Sequence, residues 1–117
     1  ATEFNMPFVN SDAFVEQCTR VREACTAIGR DPKTLNYTVA QATVCGSNAA
    51  EVEQRTKKIG REVAELSANG LCGTPDQIIA KIGDWKKAGA ETIYMQILDL
   101  DDLEHLDLIG KEVLPHI

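Results

Sequence analysis

Residues 73–98, GTPDQIIAKIGDWKKAGAETIYMQIL, constrain the fold more than any other stretch. Thr74 suits a helix N-cap, since its hydroxyl can accept from a free amide of the first turn. Pro75 suits the first helical position, where the missing N–H costs nothing. Gln77 lies three residues after Thr74 and completes a capping box. Ile78, Ile79, Ile82 and Trp85 recur at helical spacing as one apolar stripe. Gly89 stops the helix, because glycine takes the left-handed conformation without a Cβ penalty. The run from Thr92 to Leu98 is short, apolar and rich in β-formers. Helix, glycine turn and strand make the second half of a βαβ unit. Such a strand belongs in a parallel sheet with both faces covered.

The rest of the chain repeats that alternation. Phe4, Met6 and Phe8 mark the tail of a strand that Pro7 ends. Asn10 or Ser11 can cap a helix whose stripe is Phe14, Cys18, Val21, Cys25 and Ile28, stopped by Gly29 and an Arg-Asp-Pro turn. Residues 35–45, LNYTVAQATVC, form a second strand with small or apolar side chains on both faces. Asn48 and Glu51 open a helix expected to run from Ala49 to about Ser67, with Val52, Ile59, Val63 and Leu66 inward. Its mixed charged face, Arg55 included, is expected to be solvated. Residues 67–73 read as a loop. A last helix, capped by Asp101 with Glu104, is expected to turn Leu103, Leu106, Ile109, Val113 and Leu114 inward. The order strand, helix, strand, helix, strand, helix predicts a parallel sheet with right-handed crossovers. Three short parallel strands leave both sheet edges open, so the chain reads as incomplete by itself.

Composition narrows the function classes. The chain has 117 residues, 44% apolar and 26% charged, enough for one domain with one core. A net charge of −6 argues against nucleic acid or an anionic membrane as partner. No apolar run approaches the roughly 20 residues that span a bilayer. Residues 1–8 lack the basic region and apolar core of a signal peptide, so a cytoplasmic location is expected. They also lack an initiator methionine, which predicts a chain that starts inside a longer reading frame or after processing. Cys18, Cys25, Cys45 and Cys72 show no Cys-x-x-Cys spacing and read as small buried hydrophobes of a reduced compartment. The acids Asp99, Asp101, Asp102 and Glu104 fail the calcium-loop pattern, lacking its glycine and distal acid. At a helix N-terminus they answer the macrodipole.

These residues carry a family resemblance. Residues 73–115 are similar to the C-terminal end of the bacterial-luciferase-like flavin and deazaflavin oxidoreductases. ATEFN resembles that family's short sixth strand, usually A-D-x-x-N, with Thr2 in the aspartate place. FVEQCTRVREACTAIGRDP resembles the next helix and turn, and YTVAQATVCG the seventh strand. The Gly73–Gln77 motif with the Ala88-Gly89-Ala90 turn is the most specific part, and the acidic segment 98–106 points toward the deazaflavin branch. The resemblance implies an α/β fold, namely the C-terminal three β/α units of an eight-stranded TIM-type barrel, with residues 1–117 as one partial-barrel segment. A whole barrel takes about 250 residues. The implied cofactor of the full-length protein is the deazaflavin coenzyme or FMN, used with a small-molecule substrate. The family's phosphate-holding segment follows its fifth strand and is absent here, so the isolated chain is expected to bind no cofactor and to be inactive.

Barrel active sites lie at the C-terminal ends of the strands. Those ends are read as residues 3–5, 43–45 and 96–99, which makes Asn5 and Gln96 the candidate cofactor contacts. His105 and His116 sit on or after the last helix, away from any strand end. No catalytic residue is assigned and no metal site is expected. The leading expectation is a segment of a flavin- or deazaflavin-dependent oxidoreductase. The alternative is a non-catalytic module that self-associates through its sheet edges, burying Val39, Ile93 and Met95 in a homo-oligomer. A thiol or metal function of the four cysteines ranks third.

Overall fold

The computed structural model describes all 117 residues, Ala1–Ile117. Strand β1 (Glu3–Pro7) leads to helix α1 (Ser11–Ala27), and a 3-10 turn at Pro32–Thr34 enters strand β2 (Asn36–Cys45). Helices α2 (Ala49–Lys58) and α3 (Val63–Asn69) precede the three-residue strand β3 (Leu71–Gly73). Helix α4 (Pro75–Lys87), strand β4 (Thr92–Gln96), helix α5 (Leu103–Glu112) and a 3-10 turn at Leu114–His116 complete the chain.

The sheet is parallel throughout and built on β2. Strand β1 pairs with it from Glu3↔Asn36 to Pro7↔Ala40, and β4 from Thr38↔Thr92 to Ala42↔Gln96. The last residues of β2 pair with β3, Thr43 opposite Leu71. The outer edges of β1 and β4 carry no further strand.

One face of this sheet is the core. Phe14, Cys18 and Cys25 of α1 and Trp85 of α4 pack on Tyr37 and Val39 of β2, with Phe4, Met6, Ile93 and Met95 beside them. The Phe14 and Trp85 rings meet edge to face, centroids 5.6 Å apart. Cys18 and Cys25, seven residues apart, fall on one helix face as their spacing requires. Cys45, Ile78, Ile109 and Val113 join α4 and α5 to the end of β2. On the opposite face Ala42 and Val44, near the end of β2, receive Val52 of α2 and Leu66 of α3.

The opposite face is bare at its flanks. Strands β1 and β4 both alternate exposed and half-buried residues, while nearly all of β2 is buried. Cover on both faces therefore holds for the central strand and fails for the outer two. Val39 is fully buried, and Ile93 and Met95 lie in the same cluster. Val39 is therefore covered within the chain, while Ile93 and Met95 are only half-buried.

Several local expectations are corrected. The helix expected from Ala49 to Ser67 is two helices, broken at Gly60, whose φ of +71° is a left-handed turn. After the break Val63 points outward while Leu66 is buried. The expected loop 67–73 ends α3 and supplies β3. Ile28 caps α1 and is 78% exposed, outside the stripe. In α5 the cap is Asp102, not Asp101. Its inward line is His105, Ile109 and Val113, at fourfold spacing, and Leu103, Leu106 and Leu114 stay exposed. A histidine with a hydrogen-bond partner at the sheet fixed the phase that leucine burial was expected to set.

Candidate site at the carboxyl ends of the strands

The C-terminal end of β2 is held by a buried polar cluster. His105 Nε2 accepts from the Cys45 amide at 2.8 Å, and the imidazole is almost wholly buried. That acceptance requires a neutral ring with its proton on Nδ1. Burial, aided by the nearby Arg55 charge, holds the His105 pKa below its ordinary value. Arg55 Nη1 donates to the Cys45 carbonyl at 2.9 Å and Arg55 Nε to Asp102 Oδ2 at 2.8 Å. Glu51 pairs with the same guanidinium one helical turn away. Asp102 Oδ1 in turn accepts from the His105 amide at 3.1 Å, capping α5. The Arg55 hydrogen bond, with that amide, holds Asp102 below the usual carboxylate range. Lys58 Nζ lies 2.8 Å from Asp99 beyond β4.

Sequence reasoning missed this cluster. Arg55 is not on a solvated face, and His105 is not remote from a strand end. The available signal was Asp102 three residues before His105, the spacing by which a cap carboxylate meets the amide of the third helical residue.

A second cluster crosses the bare face. Thr38 Oγ1 donates to Glu3 Oε1 at 2.6 Å and accepts from Asn5 Nδ2 at 2.9 Å. Tyr94 Oη donates to Glu3 Oε2 at 3.3 Å, and the Glu3 charge raises the Tyr94 pKa. Asn5 thus lies within β1, which runs on to Pro7, and its amide is engaged by Thr38. Gln96 ends β4 and is exposed on the same face as Asn5. The structure does not bring the two together: Asn5 is level with Thr38 of β2 and Gln96 with Ala42, four residues farther along.

The four cysteines are free. Burial pushes the Cys45 thiol up to about 11 and raises Cys18 and Cys72 as well, the reverse of what a reactive thiolate needs. No three His, Cys, Asp or Glu side chains converge as a metal site. His116 lies in the terminal 3-10 turn and bonds to neither cluster.

A parallel sheet with α1, α4 and α5 on one face, and polar side chains on the flanks of the other, matches a sector of a β/α barrel. Solved structures agree. The F420-dependent tetrahydromethanopterin reductase from Methanopyrus kandleri superposes at a TM-score of 0.76 and 16% identity, over 99% of this chain and 45% of that one. An F420-dependent secondary alcohol dehydrogenase, solved with an F420–acetone adduct, gives 0.80 and 15%, over 99% and 43%. The EDTA monooxygenase from Chelativorans sp. BNC1 gives 0.74 and 16%, over 98% and 41%. The chain therefore has their fold and spans less than half the length of each. No family model and no curated protein matches the sequence.

Proposed function

We propose that this chain is part of a luciferase-like oxidoreductase that uses a deazaflavin or flavin cofactor on a small organic substrate. The observation that carries the reading is superposition of nearly the whole chain on F420-dependent enzymes and on a monooxygenase solved in complex with FMN. The family resemblance of the sequence supports it independently. The chain's own residues suit only part of such a cofactor. Exposed Tyr94 and Gln96 offer polar contacts to a ring system on the bare face, and Asn5 lies on that face but four residues lower than Gln96. A phosphate finds no match. Arg55, Lys58 and Arg61, the basic groups around the strand ends, are all paired with acids: Asp102 and Glu51, Asp99, and Glu65. Residues outside these 117 would hold it, and the 117 alone would not turn over. In this role the chain's part is to orient the ring and exclude water, while the cofactor supplies hydride chemistry. The protein acts in the cytoplasm under this reading.

The test is cofactor binding and turnover by the full-length gene product, offered F420 and FMN separately. Binding of one, with oxidation of its reduced form by a substrate, is the expected result. A barrel-sized product that binds neither would end the proposal.

One observation favours the second reading, a self-associating module. An open groove of about 1150 Å³ runs along the free edge of β4, lined by Ile79, Ile82, Ile93, Met95, Leu114 and Ile117 among others. Unpaired strand edges beside apolar surface invite pairing with another chain. Sedimentation as a strict monomer at high concentration would dismiss it.

A further inference from the structure

The imidazole of His105 has only one of its two nitrogens engaged. The ring is 3% exposed and makes one hydrogen bond within the chain, from the Cys45 amide to Nε2. Its Nδ1 proton is buried with it and needs an acceptor that no residue supplies. A matching acceptor stands nearby. Asp99 Oδ2 is buried, and although Lys58 Nζ lies 2.8 Å away, the pair is out of line for a hydrogen bond. Asp99 Oδ1 is taken by the Asp101 amide at 3.2 Å. His105 and Asp99 border one small pocket of about 10 Å³, lined also by Thr43, Arg55 and Asp102. Its walls include no residue of β1 or β4, the strands with free edges.

That volume admits one water and little else. The charges around it select the same ligand. The Arg55 guanidinium and the His105 N–H repel a cation, and the Asp99 and Asp102 carboxylates repel an anion. Asp102 is already satisfied by Arg55 and the His105 amide, and Arg55 by Asp102, Glu51 and the Cys45 carbonyl. What is left is one donor, His105 Nδ1–H, and two acceptors, Asp99 Oδ2 and the Thr43 hydroxyl oxygen, whose proton goes to the Gln41 carbonyl at 3.1 Å. We propose that this pocket holds one internal water, which accepts from His105 Nδ1–H and donates to Asp99 and Thr43. Three bonds are usual for a buried water. Ladder pairing between β2 and β4 stops at Ala42↔Gln96. The water carries the connection onward, from Cys45 through His105 to Asp99. Its place does not depend on which cofactor the full-length protein uses.

The test uses the isotopically labelled chain near neutral pH, with solvent water as the probe. Long-range nitrogen–proton spectra should show His105 protonated on Nδ1. That proton should exchange slowly enough to give a resonance, with a nuclear Overhauser contact to a long-lived water. Relaxation dispersion of the water oxygen should count one long-lived water fewer in Asp99→Leu, which removes an acceptor and fills the pocket. Lys58→Met breaks only the ion pair and should keep the count. A His105 proton on Nε2, no long-lived water beside the ring in the parent, or an unchanged count in Asp99→Leu would overturn the proposal. So would loss of the water in Lys58→Met, which would assign Asp99 to the ion pair alone. If Asp99→Leu does not fold, the Overhauser contact in the parent decides.

Discussion

Two polar clusters are built on the same three strands, and they differ in burial more than in bonding. At the end of β2, Arg55, Asp102 and His105 close four hydrogen bonds around Cys45 and the α5 cap. Across the bare face, Glu3, Asn5, Thr38 and Tyr94 share three. The Arg55 and Asp102 side chains are 13% and 18% exposed, whereas Tyr94 is half exposed. A hydrogen bond shielded from water is hard to replace when broken, because its partner is left unsolvated. A solvated one trades with water at little net cost. Equal-looking diagrams therefore carry unequal energies, and in this chain the heavier weight lies at the carboxyl end of β2.

The largest test of that contrast is Arg55→Ala. It strips the Cys45 carbonyl and Asp102 of their shared donor and should cost about 2–3 kcal/mol in urea unfolding. A loss no larger than that of a surface ion pair would erase the distinction between the two clusters.

A smaller effect is expected from pH. His105 is neutral when folded and has a lowered pKa, so the unfolded chain takes up its proton first, near pH 6.5. By linkage its contribution is complete above that value and is lost as the pH falls from there toward the folded pKa. The urea midpoint should therefore drop between about pH 7 and about pH 5, and His105→Gln should flatten that slope. Glutamine keeps an acceptor for the Cys45 amide without titrating. An unchanged slope in the variant would place the titration elsewhere.

The smallest effect concerns the bare face. Tyr94→Phe should leave the urea midpoint in place, since water can replace the phenol at Glu3. The contact should show instead in ultraviolet titration, where Glu3→Gln lowers the Tyr94 ionisation pH because the neighbouring charge is gone. A lowered midpoint in Tyr94→Phe would mean that the bare-face cluster is sheltered after all.

How much of this was legible depends on the range of the interactions. The α4–β4 unit was read almost residue by residue, because caps, stripe and glycine stop act within a few positions. The Thr74 amide does donate to Gln77 Oε1, at 2.9 Å. The stripe Phe14, Cys18, Cys25 was legible for the same reason. The His105–Cys45 contact spans 60 residues and Arg55–Asp102 spans 47, and neither leaves a local pattern. Arg55 sits among alternating charges that look solvated. Asn5 looked like a strand end because β1's extension through Pro7 is set by pairing with β2.

By itself the sequence determined the alternation of strands and helices, the parallel sheet that alternation demands, and the core faces of α1 and α4, since capping and hydrophobic period are local. Only the tertiary structure decided the break at Gly60, the inward turn of His105 in place of the leucines and the burial of Arg55. Each of these is set by a partner distant in the chain, whose position becomes fixed only when β2 is in the sheet.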